Sequence, residues 1–296
     1  MCAVRMRPDE IDLDAALVRR LVAAQFPRWA SLPVTRVTSS GTENAMFRLG
    51  HDKVVRLPRY PGAVDGVAYE RRWLARLGPR LSVPTPTPLA LGEPGEGFPW
   101  PWCVYGWLDG RNPVAGAPER PGELAADLGA FVAGLRRLDP AGGPANHRGV
   151  PLARRDADTR AALARLAGRI DTAEVTARWE EALRAPDHTG APVWAHADLS
   201  PGNVLVAGGR LAAVLDFGCV GVGDPAVDLI VAWNLLPAAA RGIFRAAVGA
   251  DDAEWARGRG WALSISLVQL PFYGETNPPL AENSRHVIRE ILAEPR

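Results

Sequence analysis

His196-Ala197-Asp198-Leu199-Ser200-Pro201-Gly202-Asn203 stands near the middle of a 296-residue chain, and thirteen residues after Asn203 comes Asp216-Phe217-Gly218. Carboxylate, amide and carboxylate thus follow one another in a short, ordered series. A hard divalent cation takes oxygen ligands and keeps coordination sites for phosphate oxygens. One carboxylate and one amide oxygen suit that need, and a second carboxylate is left to orient or deprotonate a hydroxyl. Residues 191–195 read as a short buried strand running into the loop. Residues 204–206 and 211–215 are apolar runs split by Ala207-Gly208-Gly209-Arg210, which reads as a β-hairpin with a glycine turn. Such a hairpin carries Asn203 at its start and Asp216 at its end. Either motif alone is also what turn formers produce. Their order, and the hairpin between them, argue against a pair of unrelated turns.

Asp198 and Asn203 have the spacing of the Asp and Asn in a kinase catalytic loop, and Asp216-Phe217-Gly218 matches the triplet whose Asp holds Mg²⁺. Only residues 219–223 separate that triplet from Asp224-Pro225-Ala226-Val227-Asp228-Leu229. A protein kinase needs an activation segment there, ending in Ala-Pro-Glu, and Ala197 occupies the place of its catalytic-loop Arg. On these residues the chain resembles the aminoglycoside phosphotransferase family, relatives of choline kinase and macrolide phosphotransferases. The resemblance runs over most of the chain, from residue 31 or so to the C-terminal helix. The family pattern is His-Gly-Asp-Leu-His-Pro-Gly-Asn, then a strand into Asp-Phe-Gly, then Gly-Asp-Pro-x-x-Asp-Leu. This chain departs from it at Ala197 and Ser200. Ala197 restricts the backbone if its φ is positive.

The resemblance implies an α+β, protein-kinase-like two-lobe fold. An N-terminal helix and a small β-rich lobe would occupy residues 1–106, and a mostly helical lobe residues 107–296. It implies Mg²⁺-dependent transfer of the γ-phosphate of ATP, or GTP, to a hydroxyl of a small molecule. Asp198 is then the catalytic group, and Asn203 and Asp216 are the metal ligands. The acceptor class it implies is an antibiotic, an aminoglycoside or a macrolide, with resistance as the outcome. A metabolic kinase acting on an amino alcohol or sugar uses the same residues, and a nucleotide-binding regulator without catalysis is a further alternative.

Upstream, residues 35–49 read as two strands around a polar turn. Ser39, Ser40, Gly41 and Thr42 are small enough for backbone N–H groups to approach phosphates. There is no Gly-x-Gly-x-x-Gly and no Walker A pattern. Lys53-Val54-Val55-Arg56 lies where kinases place Val-Ala-Ile-Lys on the third strand. Strand period two sends Val54 and Arg56 to one face and Lys53 and Val55 to the other. Arg56 is therefore assigned to the α- and β-phosphates, its planar fork gripping phosphate bidentately. Lys53 is assigned to solvent. Glu70, in a helix-like run from residue 68, matches the helix Glu that steadies the strand base; a surface helix Glu is the alternative. Residues 83–88 are too rich in Pro for a central strand. Residues 99–110 read as the last strand of the lobe and the hinge, where Tyr105 and Trp107 are candidates for the nucleotide site. Trp107 fits core and lobe contact equally well.

Composition agrees with a folded enzyme. Net charge is +1, and Lys53 is the sole lysine among 34 dispersed basic residues, so charge makes no case for nucleic acid or a membrane surface. Cys2, Cys103 and Cys219 are far apart, which suggests a reducing compartment and neither a disulfide frame nor a zinc site. The N-terminal residues lack a signal-peptide pattern, no apolar run is long enough to cross a bilayer, and the expected location is cytoplasmic. Apolar periodicity predicts helices at 10–26, 122–138, 155–169, 172–185, 252–271 and 278–293. Asp228 is expected to hold the 196–198 loop by accepting its N–H groups. Asp224 is expected to be an N-cap, both carboxylates facing one side of a helix opened by Pro225. Asp251, Asp252, Glu254, Glu275 and Glu282 are the carboxylates available to a cationic acceptor, although the Arg residues around them favour a solvated mixed face. Oligomeric state is not readable.

Overall fold

The structure, a computed structural model, describes residues 5–295. Cys2 and the first four residues of the N-terminal segment read above lie outside the described residues. The chain divides into two compact units. One runs through to Asp109 and takes in Ala213–Gly218; the other comprises Gly110–Ala212 and the chain from Cys219 onward.

In the first unit, α1 (Ala15–Gln25) starts later than periodicity predicts, because the Asp14 carboxylate accepts from Leu17 N at 2.7 Å and caps it there. Ile11 lies outside the helix, its N–H donating to Arg59 O. Strands β1 (Val34–Arg36), β2 (Asn44–Leu49) and β3 (Lys53–Pro58) precede α2 (Val64–Leu77), and β4 (Pro88–Gly92) and β5 (Trp102–Gly106) follow it. They form one antiparallel sheet in the order β1-β2-β3-β5-β4. β4 was hidden by the Pro-rich segment that leads into it: Pro88 opens it, which an edge strand tolerates because that residue's missing N–H breaks no central ladder. Ala45, Phe47 and Leu49 alternate into a core with Val55, Leu57 and Trp102. That alternation puts Val54 and Arg56 on the other face of β3, in the expected register.

In the second unit, α3 (Pro121–Arg136), α4 (Asp156–Arg165) and α5 (Thr172–Leu183) precede β6 (Val193–Ala195). β7 (Val204–Ala207) and β8 (Arg210–Val214) are the hairpin read from the sequence, turning at Gly208 and Gly209 with φ of +56° and +77°. Two successive positive φ values are what a tight hairpin turn requires. β9 (Gly221–Gly223) pairs antiparallel with β6, Trp194 opposite Val222. Its two glycines gave no strand signal. Pro225–Ile230 is a 3₁₀ turn leading into α6 (Val231–Asn234). α7 (Ala238–Val248) then follows, and was missed because its buried face is only Ala240, Arg241 and Phe244. α8 (Asp252–Tyr273) and α9 (Pro278–Leu292) pack on one another as the closing pair. Among the described residues no helix is long and apolar enough to cross a membrane.

Candidate functional site

The first unit carries a charge cluster built on β3, α2 and the Asp216 triplet. Glu70 is fully buried. Its Oε2 accepts from Arg56 Nη1 at 2.5 Å and from the Tyr105 hydroxyl at 2.9 Å, and its Oε1 accepts from Phe217 N at 3.0 Å. Arg56 Nη2 also donates to Asp216 Oδ1 at 3.2 Å. With its amide oxygen turned to the guanidinium, Asn44 accepts from Arg56 Nε at 3.1 Å and Nη2 at 3.0 Å. A buried charge is tolerable only when paired and hydrogen-bonded in this way. Burial works against the Arg56 charge, but Asp216, Glu70 and Tyr105 outweigh it and hold its pKa well above the ordinary guanidinium value. Burial likewise raises the Tyr105 hydroxyl, and pushes the Cys103 thiol up to about 11. Lys53 pairs instead with Asp52 at 2.8 Å, near the Trp29 ring.

Asp216 has a φ of +59°, a left-handed conformation unusual for a residue other than glycine, and its Oδ1 accepts from Gly218 N at 3.2 Å. Such strain persists where surrounding contacts over-determine it. Of the other expected groups, Ser39 and Gly41 are exposed between β1 and β2, where Ser39 Oγ accepts from Gly41 N; Ser40 and Thr42 are half-buried there. The Tyr105 side chain belongs to the Glu70 cluster. Trp107 donates its indole N–H to Asp109, and the Arg48 guanidinium lies 3.6 Å from its ring centroid.

The second unit carries the Asp198 loop. Asp228 is fully buried, and its two oxygens accept from His196 N at 3.0 Å and Ala197 N at 2.7 Å. Burial pushes this carboxyl above its usual range, while His196 and the two N–H groups pull it back. Ala197 has a φ of +65°, so the departure from glycine falls on a strained residue, held by Asp228. Asp198 Oδ2 accepts from Asn203 Nδ2 at 3.0 Å, and Oδ1 accepts from Arg148 Nη1 at 2.5 Å. Asp224 caps the 3₁₀ turn through Ala226 N, as expected, and also pairs with buried Arg257 at 2.8 Å. The two carboxylates do not share a side. At three residues per turn, positions four apart lie about 120° round from each other.

Sequence reasoning missed several polar residues that hold this loop. Asn112 Nδ2 donates to the carbonyls of Pro201, Gly202 and Val204, and Asn234 Nδ2 donates to Leu199 O at 2.8 Å. Asn146 Oδ1 accepts from Arg148 N at 2.7 Å, which shapes the turn bearing Arg148. Lone Asn and Arg residues far from a motif carry no sequence signal for such roles. A cleft of about 230 Å³ lies beside Arg148. His147, Arg148, Arg155 and Gln269 supply its polar wall, and Trp261, Ile265 and Val268 its apolar wall. Burial and the neighbouring Arg148 lower the His147 pKa and favour the neutral ring. The five carboxylates considered for a cationic acceptor are absent from this lining. Asp251 caps α8, Asp252 and Glu254 pair with Arg245 and Arg136, Glu282 pairs with Arg289, and Glu275 is exposed.

Taken singly, each proposed metal ligand is of the right kind. Asn203 commits its amide nitrogen to Asp198, which leaves its oxygen as the available donor, and Asp216 offers a carboxylate. Oxygen donors of this sort suit Mg²⁺, which retains waters or phosphates for its remaining positions. Among the described residues no group of three or more His, Cys, Asp and Glu gathers to hold a metal.

The fold is that of solved antibiotic kinases. An aminoglycoside phosphotransferase determined with GDP and kanamycin superposes with a TM-score of 0.75 at 19% identity, over 93% of this chain and 98% of that one. The macrolide 2'-phosphotransferase MphH from Brachybacterium faecium gives 0.62 at 23% identity, over 96% and 99%. An ADP-bound aminoglycoside phosphotransferase gives 0.62 at 16%, over 94% and 98%. Comparison with curated protein sequences found no match. The phosphotransferase enzyme family model matches residues 34–261, which take in Arg56, Glu70, the Asp198 loop and the Asp216 triplet, and the chain belongs to that family.

Proposed function

We propose that this phosphotransferase is a Mg²⁺-dependent kinase that moves the γ-phosphate of ATP or GTP to a hydroxyl of a small molecule. The observation that carries the reading is the Asn203–Asp198 hydrogen bond, which joins the proposed metal ligand to the proposed catalytic carboxylate. Asp198 orients the acceptor hydroxyl and takes its proton as the new oxygen–phosphorus bond forms and the γ-phosphate leaves the nucleoside diphosphate. Arg56, steadied by Glu70, binds the α- and β-phosphates, and the 39–42 turn covers them. Tyr105 and Trp107 belong to the strand end and hinge beside the base. Asn203 and Asp216 would hold Mg²⁺, whose charge would offset the negative charge that develops during transfer. Most of the rate enhancement in such transfers comes from positioning and charge stabilisation. The proposed division is residues 1–106 for the nucleotide lobe and residues 107–296 for the catalytic and acceptor lobe. The buried free thiol of Cys103 fits a cytoplasmic location.

Aminoglycosides and macrolides are the acceptors named for the solved relatives, and with either of them resistance is the consequence. A second reading, a metabolite alcohol, is favoured by one observation: no carboxylate lines the cleft beside Arg148. The test is nucleoside-diphosphate release, with mass spectrometry of the acceptor, across aminoglycosides, macrolides and metabolite alcohols, using MgATP and MgGTP. Asp198→Asn should lose turnover by about 10²–10⁴-fold while retaining nucleotide binding. Near-full activity in that variant would remove Asp198 from its role.

A further inference from the structure

The cleft beside the Asp198 loop has a one-sided hydrogen-bonding character. Two of its polar residues, Arg148 and Arg155, offer only donors. Trp261 adds an indole N–H that is buried and meets no acceptor among the described residues. Neutral His147 and Gln269 each bring a donor and an acceptor. Arg148 is committed to Ala197 O and Asp198 Oδ1. Arg155 contacts Ser264 Oγ at 3.3 Å and Asp158 at 3.2 Å, and the Asp158 side chain is 65% exposed, so that pair is solvent-screened. The cleft is also partly aromatic and apolar. Gly260 lets α8 lie close against Leu152, where a Cβ would come within 2.4 Å of Leu152 Cδ2, and this seats Trp261 at the cleft. Its volume of about 230 Å³ is less than a drug-sized pocket of roughly 300–1,000 Å³, so it holds one ring or one arm of an acceptor.

A polyammonium ligand brings donors and positive charge to a wall that already presents both. A carboxylate or another oxyanion brings acceptors and the opposite charge. We infer that the cleft lined by Arg148, Arg155 and Trp261 selects an acceptor whose aromatic or apolar body carries an oxyanion, and that it discriminates against polycations. The inference rests on the phosphotransferase reading and assigns the acceptor class of that same site. Arg155 is its main specificity-determining residue, because Arg148 is held by the Asp198 loop. Gln269 lies in the same wall on α8.

The test uses three aryl alcohols of one shape: 4-(hydroxymethyl)benzoate, its amide, and 4-(hydroxymethyl)benzylammonium. Binding to the full-length protein with MgADP present is measured by calorimetry, and transfer from MgATP is followed separately by mass spectrometry. In the wild type the carboxylate should bind at least tenfold more tightly than the ammonium, with the amide between, which is the order of a charged hydrogen bond. Arg155→Gln should erase the advantage of carboxylate over amide. Gln269→Glu, which adds a carboxylate without removing an ion pair, should turn the preference toward the ammonium. Equal binding of all three, no binding of any at millimolar concentration, or a wild-type preference for the ammonium overturns the inference. Binding in the expected order with no transfer from MgATP leaves the cleft assignment standing and counts against the phosphotransferase reading instead.

Discussion

Arg56 is the residue on which the small-lobe assignment turns, and its surroundings allow the cost of changing it to be worked out. The guanidinium makes contacts to Glu70 at 2.5 Å, to Asp216 at 3.2 Å and to Asn44 at 3.0 and 3.1 Å. A charged hydrogen bond contributes about 1.5–3 kcal/mol. The Asp216 contact is worth less than that, since its side chain is 40% exposed and solvent screens the pair. Arg56→Lys keeps one ammonium that reaches Glu70 but loses the fork, so a cost of about 1–3 kcal/mol is expected. That corresponds to roughly 5- to 150-fold in nucleotide affinity or kcat/KM. Arg56→Ala is more severe. It leaves the Glu70 carboxylate in the interior with only the Tyr105 hydroxyl and Phe217 N–H, a loss of about 3–5 kcal/mol of stability as well as the phosphate contact. Lys53→Ala, which removes one ion pair to the exposed carboxylate of Asp52, should change little. The assays are MgADP titration, urea unfolding and steady-state kinetics on the three variants. A damaging Lys53→Ala beside a silent Arg56→Ala would refute the reasoning and the pairing of Glu70 with it.

Asp216→Ala should abolish the Mg²⁺ dependence of nucleotide binding; equal titrations with and without Mg²⁺ in the wild type would sink the metal assignment. Asp228→Ala strands two buried N–H groups, His196 and Ala197, and should lower unfolding stability by about 2–5 kcal/mol. A loss below about 1 kcal/mol in urea would show that the loop is held otherwise. Burial lowers the pKa values of His147 and His286 below the ordinary imidazole value of 6.5. The unfolded chain therefore takes up protons first as pH falls through 6.5, so stability is full above that value and declines below it. Depressed carboxylates lose their contribution only nearer pH 4. The double variant His147→Gln, His286→Gln should flatten the urea midpoint between pH 5 and 6.5, and an unchanged slope would contradict the assignment.

The candidate residues share short-range spacing, which is why the sequence proposes them. Asp198 and Asn203 share one loop, Asp216 follows one hairpin, and period two on β3 puts Arg56, and not Lys53, on the face turned from the core, where it meets Glu70. Hairpin, helices and family followed from the same short-range patterns, since glycine turns and apolar periodicity act within a few residues. What tertiary structure alone decided is where distant groups meet. Glu70 gathers Arg56, Tyr105 and Phe217 N–H across more than a hundred residues of sequence, and no spacing rule encodes that. The strained φ at Ala197 and Asp216 depends on the contacts that hold it, Asp228 in the first case. β4 and β9 escaped notice because proline and glycine carry weak strand propensity, and pairing to a neighbour settled them. The turn after Asp224 is 3₁₀, so two carboxylates expected on one side diverge, one to the loop and one to Arg257. The acceptor cleft owes its donor-rich wall to residues from 147 to 269, brought together only by the packing of α8 against the segment after α3. Burial and charge at that distance are properties of the folded surface, and they bear on what the sequence leaves open: the class of acceptor proposed for this cleft.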